Sequence, residues 1–255
     1  MADSTIGFDQ FVSILGWDAF SEAVSLQLLA SSNNVVILTE GEENRPEIRG
    51  AFSEEQEDSV QVFSLHRTEY QQMQEIGLGA TRSLFLNLDT DETNLITILR
   101  MKKHFPELEY MVVLSDEELE ETFQSAGVTY AVSKLNISSK VLSSYLYEPD
   151  VAECTEDVLT ATRNGEDYDI QQYRVTDSCP AAGESFLSVM QTLKSEHRTT
   201  PIGLKKPEGD LNKVPAPTTT VQKDDYVLLI TRGSRETGLE KYFGTQEGVL
   251  NGSSP

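Results

Sequence analysis

Short apolar runs alternate with amphipathic stretches through the first half of the chain. The runs are four to six residues long and almost continuously apolar, which is typical of parallel strands covered on both faces. The predicted strands are Phe11–Leu15, Val35–Thr39, Val60–Leu65, Ser83–Leu88, Tyr110–Leu114 and Tyr130–Ser133, and the predicted helices are Phe20–Ser31, Glu69–Ile76, Thr93–His104 and Asp116–Ala126. This alternation predicts an α/β fold: a Rossmann-like, doubly wound parallel sheet in the order 3-2-1-4-5-6 with right-handed crossovers.

The pattern changes after residue 136. Two more helices are predicted first, at Ser138–Tyr147 and Val151–Ala161. A small α+β lobe follows, in which prolines mark the connections between elements. Its predicted strands are Tyr168–Val175, Ile202–Lys205 and Tyr226–Thr231, and its predicted helix is Ser185–Leu193. The sequence therefore predicts a Rossmann-like lobe at 1–136, a helical crossover at 137–163, a C-terminal α+β lobe at 164–245 and a disordered tail at 246–255.

The chain is strongly acidic, with 20 basic and 42 acidic residues and a formal net charge of −22. Such a surface repels nucleic acid and anionic lipid, which argues against both as partners. It is compatible with attracting cations, and equally with a saline habitat or simple solubility. No apolar run approaches the roughly 20 residues that cross a bilayer, and no signal peptide is recognisable. Two cysteines form neither a disulfide framework nor a metal cluster, so we expect a cytoplasmic protein.

An incomplete phosphate-binding motif follows the first predicted strand. The dinucleotide pattern G-x-G-x-x-G is present only as Gly16-x-Asp18-x-x-Ser21. The second glycine normally lets the backbone approach a pyrophosphate, and Asp18 places an anion there instead. Glu40 ends the second strand, where a carboxylate can hold an adenosine ribose, although it also begins an ordinary acidic loop. These four residues are the candidate nucleotide site, and the loss of the glycines favours a scaffold used for regulation over hydride transfer.

Two groups of acidic residues follow the fourth and fifth predicted strands. The carboxyl ends of parallel strands border the ligand crevice of an open α/β sheet, and calcium prefers carboxylate oxygens. One interpretation is therefore a cation site at Asp89, Asp91, Asp116 and Glu118. The other is helix capping, because Ser115–Glu118 and Asp89–Glu92 both have the pattern of a first helical turn rich in acids.

Several segments resemble an RCK domain, the regulator of potassium conductance on the cytoplasmic side of prokaryotic potassium channels. The chain is most similar to the domain of archaeal calcium-gated channels, over residues 10–243. The matching segments are Gly16-Trp17-Asp18, Val35–Glu40, Gly79–Ser83, Leu86–Asp91, Ala126-Gly127-Val128, Pro201–Leu204, Val214-Pro215 and Lys223–Ile230. The chain departs from the calcium-gated pattern at Asn87, where those channels carry an aspartate.

The resemblance implies a ligand-sensing domain of a gating ring, which couples cation binding to the opening of a potassium-channel pore. It implies homodimers joined through the helices at 137–163, assembly of the dimers into a higher-order ring, and a position at the inner face of the cell membrane without insertion into it. The alternative is a peripheral regulatory subunit of a Trk-type potassium uptake system that binds NAD or ATP. We expect no enzymatic activity, because the three histidines lack metal-ligand spacing and no nucleophile motif is visible.

Overall fold

The computed structural model describes residues 5–31, 33–81, 83–159, 168–207, 209–232 and 238–248. The chain divides into two units, Met1–Ala152 and Glu153–Pro255. The predicted domain boundaries at residues 136 and 163 lie on either side of this division. Residue 163 itself, and the predicted last two residues of the helix Val151–Ala161, lie outside the described residues.

The N-terminal unit is built on a six-stranded parallel sheet in the order β3-β2-β1-β4-β5-β6, which confirms the predicted fold class and strand order. In the register, Ser13 of β1 lies between Val36 of β2 and Leu84 of β4. The strands are β1 Val12–Leu15, β2 Val35–Thr39, β3 Val60–Ser64, β4 Ser83–Leu86, β5 Glu109–Leu114 and β6 Tyr130–Ser133.

The helices of this unit are α1 Ala19–Ala30, α2 Arg45–Gly50, α3 Glu54–Glu57, α4 Tyr70–Glu75, α5 Asp91–Met101, α6 Glu120–Ser125 and α7 Lys134–Tyr147. The chain continues into α8 at Pro149–Leu159. Helix α7 begins four residues earlier than predicted, because the Ser133 hydroxyl caps it by accepting a hydrogen bond from the backbone N–H of Asn136. The short helices α2 and α3 escaped prediction. Among the described residues, no helix combines the length and the apolar composition needed to span a membrane.

Both faces of the parallel sheet are covered by packed side chains. Alternate residues of the central strands enter different clusters: Ile14 and Ile37 pack with Ile48 of α2, whereas Leu15 and Leu38 pack on the opposite side. These side chains are fully or almost fully buried. Continuous apolar strands are what two covered faces require, since successive side chains of a strand point to opposite sides.

The C-terminal unit contains a four-stranded antiparallel sheet in the order β7-β10-β8-β9. Its elements are β7 Tyr168–Arg174, α9 Phe186–Glu196, β8 Thr200–Lys205, β9 Leu211–Asn212, β10 Tyr226–Arg232 and α10 Leu239–Phe243. The three predicted strands and the predicted helix are confirmed, and β9 and α10 are additions. The backbone N–H of Gly248 donates to the carbonyl oxygen of Gln172 at 3.0 Å. Of the predicted tail at 246–255, residues 249–255 lie outside the described residues.

Candidate functional site

The candidate site lies where the strands of the parallel sheet reach their carboxyl ends. Strand β1 pairs with β2 on one side and β4 on the other, so the connections after β1 and β4 depart to opposite faces of the sheet. Such a switch of direction leaves a crevice in which open α/β sheets bind their ligands. All eight predicted site residues lie in the loops that follow β1, β2, β4 and β5 or in the helical turn that follows each loop.

The loop after β1 turns sharply at Gly16. The φ angle of this residue is +100°, a region that residues with a side chain avoid. A Cβ placed on Gly16 would lie only 2.9 Å from the carbonyl carbon of Asn87 and closer still to its oxygen. The backbone after β1 therefore lies directly against the backbone that leaves β4, and only glycine fits between them.

Asp18 occupies the N-terminus of α1 with its own carboxylate. The Oδ1 atom accepts hydrogen bonds from the backbone N–H groups of Phe20 at 3.0 Å and Ser21 at 2.8 Å. The Asn87 amide donates to the same Oδ1 at 2.5 Å and to the Ser21 hydroxyl at 2.8 Å. The Asp18 carboxylate is thus an anion at the N-terminus of α1, where the helix dipole and the backbone N–H groups of the first turn favour negative charge.

These contacts do not fit a pyrophosphate at the conventional place. The N–H groups that would donate to the pyrophosphate oxygens already donate to the Asp18 carboxylate. That carboxylate would also repel a second anion. Asn87 makes the arrangement possible because its amide supplies two donors, which an aspartate could not. Sequence reasoning identified position 87 as a departure from the family pattern but did not connect it with Asp18.

Glu40, the fourth predicted nucleotide residue, is tied to the loop after β3. Its Oε1 accepts a hydrogen bond from the backbone N–H of Arg67 at 3.1 Å. The same oxygen lies 3.6 Å from His66 Nε2 and 3.8 Å from Arg67 Nε. The Glu40 side chain is 41% exposed, so solvent screens these contacts and they contribute little to the free energy of folding. Their effect is to hold the loop after β3 against Glu40.

The predicted metal-binding acids cap backbone segments. Asp91 accepts hydrogen bonds from the backbone N–H groups of Ser115, at 3.1 and 3.0 Å, and of Asp116, at 3.0 Å. Asp116 in turn accepts one from the backbone N–H of Glu118 at 3.0 Å. The structure thus brings together the segments after β4 and β5, as predicted, with their carboxylates bonded to N–H groups.

Asp89 and Glu118 lie exposed beside this arrangement. Throughout the ranges that the structure describes, no three His, Cys, Asp or Glu side chains are grouped so that they could hold a metal ion. The four predicted residues therefore do not form a preassembled cation centre. The capping interpretation accounts for the bond that Asp116 makes, whereas Asp91 binds the backbone after β5 and not that of its own helix. Calcium binding stays a prediction.

A further titratable group lies in the C-terminal unit, where sequence reasoning named none. Glu247 keeps contact with solvent, yet partial burial raises the pKa of its carboxyl to about 7, and the charges of Asp169 and Glu240 add to the increase. Asp169 lies 78 residues before Glu247, so local spacing does not join these two acids. The C-terminal unit therefore carries a carboxyl that changes charge near neutral pH.

Residues 12–134 match the TrkA-N domain family. This range runs from the first to the last strand of the parallel sheet, the part of the chain that the strand order defines as Rossmann-like. The predicted resemblance to an RCK domain is thereby confirmed. No curated protein matches the chain in sequence.

Several solved structures resemble the chain. The human SLO3 gating ring is 11% identical, with a TM-score of 0.65 over 93% of this chain and 46% of that one, which shows a shared fold. The GsuK channel bound to NAD is 14% identical, with a TM-score of 0.45 over 92% of this chain and 38% of that one. The TrkA-N domain of the inner membrane protein ybaL from Escherichia coli is 14% identical, with a TM-score of 0.47 over 55% of this chain and 99% of that domain. The chain thus spans less than half the length of the SLO3 gating-ring chain and of the GsuK channel chain.

Proposed function

We propose that this chain is a non-catalytic regulatory domain that assembles beside a membrane pore or transport subunit and controls potassium movement. In its finer form, the proposal is the gating-ring domain of a prokaryotic potassium channel, which couples cation binding to pore opening. The TrkA-N match and the fold shared with a gating ring support it. The pore would hold the domain at the cytoplasmic face of the membrane.

The observation that carries the proposal is an apolar face on α7. Leu142, Leu146 and Tyr147 are exposed, Leu146 by 91% and Tyr147 by 84%. Leu135 extends this face by two turns, since it lies seven residues before Leu142, and Ile137 is exposed on another side of the helix. Contiguous apolar surface of this kind marks protein interaction sites. It lies within the segment predicted to join two copies, which supports a homodimer as the building block of a ring.

Breaking this face should separate the copies. We expect the unaltered chain to have at least twice the 28.4 kDa mass of one chain in size-exclusion chromatography with light scattering. The double variant Leu142→Glu/Leu146→Glu should have the mass of a single chain, because a buried interface would have to desolvate two unpaired carboxylates.

The matched control is Gln27→Glu, which adds the same kind of charge to an exposed position on α1, outside the apolar face of α7. It should leave the mass of the assembly unchanged. An unaltered chain that has single-chain mass at micromolar concentration would contradict the proposed homodimer.

Calcium is proposed as the ligand ahead of a nucleotide. Asp89, Asp91, Asp116 and Glu118 lie on adjoining loops in a chain of net charge −22, and Asp18 already fills the place of a pyrophosphate. Calcium would have to draw the Asp91 and Asp116 carboxylates away from the N–H groups that they cap. Cation binding would therefore be linked to a rearrangement of the loops after β4 and β5.

Calorimetric titration of metal-stripped protein distinguishes the two ligands. We expect heat from calcium, with affinity lowered about tenfold by Asp91→Asn, because one ligand charge is lost. Asp58→Asn, an exposed acid at the end of α3, is the control and should bind calcium as the unaltered chain does. NAD should give no signal unless Asp18→Gly removes the resident carboxylate.

Nucleotide binding in place of calcium binding would support a transport subunit as the partner. Binding of NAD or ATP to the unaltered chain, with no response to calcium, would favour the regulatory subunit of a Trk-type uptake system, which uses the same kind of domain.

A further inference from the structure

A cleft of about 140 Å³ lies on the N-terminal unit, next to the loop after β3 that contacts Glu40. It is formed by the loop after β3, the first residue of α4 and one side of α5. Its lining residues are Arg67, Thr68, Tyr70, Thr93, Ile96, Thr97 and Arg100. None of the eight predicted site residues lines it, and the arrangement joins segments roughly thirty residues apart in sequence.

The cleft collects positive charge in a strongly acidic protein. Of only 20 basic residues in the chain, two arginines line this one cleft, and among the residues that the structure describes no acid lines it. Arg67 has the Glu40 carboxylate 3.8 Å from its Nε atom. Arg100 makes no ion pair with the residues that the structure describes. Two guanidinium groups at one cleft are a typical arrangement for recognising an oxyanion.

Tyr70 provides a second, independent indication of a ligand. Its hydroxyl group is buried and has no hydrogen-bond partner in the described part of the chain. Its ring is stacked on that of His104, with centroids 4.3 Å apart and planes 11° from parallel. Buried polar groups without partners are rare in native proteins, and each one calls for an explanation. The hydroxyl is shielded from solvent, so a bound oxyanion accepts its hydrogen bond only if the side chains around the cleft move apart to admit it.

We propose that this cleft, between the loop after β3 and α5, binds a phosphate group carried by a small metabolite or free in solution. A phosphate offers more acceptor oxygens than a carboxylate, which suits a cleft with two guanidinium groups and several hydroxyl groups. The volume accommodates one phosphoryl group with a few further atoms and is too small for a dinucleotide. This goes beyond the assembly role, because the cleft lies within one unit and requires no second chain.

The test is titration of the full chain with inorganic phosphate at constant ionic strength, with chloride as the reference anion, followed by calorimetry and thermal unfolding. We expect phosphate to bind and to raise the unfolding temperature. Arg100→Gln should weaken binding about tenfold, the usual effect of losing a hydrogen bond to a charged group. The control Arg49→Gln removes the same charge from an exposed position on α2 and should change little.

The variant Tyr70→Phe distinguishes a phosphate-binding role of the hydroxyl group from a purely structural one, because the two roles predict different effects on the unfolding temperature. It removes the unpartnered hydroxyl while keeping the ring that stacks on His104. Without phosphate, the variant should unfold at a higher temperature than the unaltered chain, because a buried unsatisfied group is gone. With phosphate, it should gain less stability than the unaltered chain does.

Parallel titrations with glycerol 3-phosphate and AMP identify the source of the phosphate group. Tighter binding of either ester than of inorganic phosphate supports a metabolite, and the reverse supports the free anion. Phosphate no more stabilising than chloride, or equal losses in Arg49→Gln and Arg100→Gln, would overturn the proposal. A changed assembly mass in the arginine variants without any phosphate binding would overturn it too, since the arginines would then bind carboxylates of a second copy.

Discussion

Replacing Gly16 by alanine should lower the free energy of unfolding of the N-terminal unit by about 3 kcal/mol. About 1–2 kcal/mol comes from holding a residue with a side chain at positive φ, and a similar amount from the overlap between the new Cβ and the Asn87 carbonyl group. That group belongs to backbone anchored by the hydrogen bond from the Asn87 N–H to the carbonyl oxygen of Leu15, so it cannot move aside. Urea unfolding followed by circular dichroism measures the loss.

Gly50→Ala is the matched control for this experiment. Gly50 ends α2, has no positive φ, and a Cβ placed there would meet nothing within 4 Å. The same methyl group should therefore leave stability unchanged or raise it by about 0.5 kcal/mol, since alanine is the better helix former. Equal losses in the two variants would show that Gly16 is not held as described.

Replacing Asn87 by aspartate should cost about 2 kcal/mol, because two hydrogen bonds at the start of α1 are lost and one of them is to a charged acceptor. The Asn87 amide donates to Asp18 and to Ser21. A carboxylate at this position would donate to neither and would face the charge of Asp18. This change is of interest because an aspartate is what the calcium-gated channels carry at the corresponding position. Chemical unfolding near neutral pH measures the loss.

The loss should shrink as the pH falls. The charge of Asp18 raises the pKa of the new carboxyl in the folded state above its value in the unfolded chain. The folded variant then binds more protons than the unfolded one, so its stability rises relative to that of the unaltered chain as the pH is lowered from about 7 towards 4. Asn212→Asp is the control: Asn212 accepts a hydrogen bond from the backbone N–H of Val214 at 3.1 Å, which an aspartate can also accept. A pH-independent loss in Asn87→Asp would contradict the contact with Asp18.

The sequence predicted most of the fold because the parallel sheet is buried on both faces. Runs such as Val35–Thr39 are apolar along their whole length, and every residue of that strand is buried. Weakly patterned elements escaped prediction: α2 contributes one buried side chain, Ile48, and β9 is two residues long. Capping within Ser115–Glu118 was predicted, but the capping residue is Asp116, whose carboxylate accepts a hydrogen bond from the backbone N–H of Glu118.

The sequence predicted where the residues of the candidate site lie, but not which groups they contact. The carboxyl ends of parallel strands lie on one edge of a sheet, so the locations of Asp18, Glu40, Asp91 and Asp116 followed from the strand pattern. What each carboxylate binds did not follow. The Asp91 carboxylate accepts hydrogen bonds from backbone N–H groups 24 and 25 residues further along the chain. The Glu40 carboxylate accepts one from the backbone N–H of Arg67. These partners are set by loop conformations that no local spacing encodes.

The sequence by itself determined the alternating α/β architecture, the order of its six parallel strands and the loss of the phosphate-binding glycines. It could do so because hydrophobic periodicity and turn chemistry act over a few neighbouring residues. Only the tertiary structure decided that Asn87 and Asp18, 69 positions apart, satisfy one another, and that Arg67, Tyr70 and Arg100 line one cleft. Hydrogen bonding and charge are satisfied between groups that folding brings together, so their partners exist only in three dimensions.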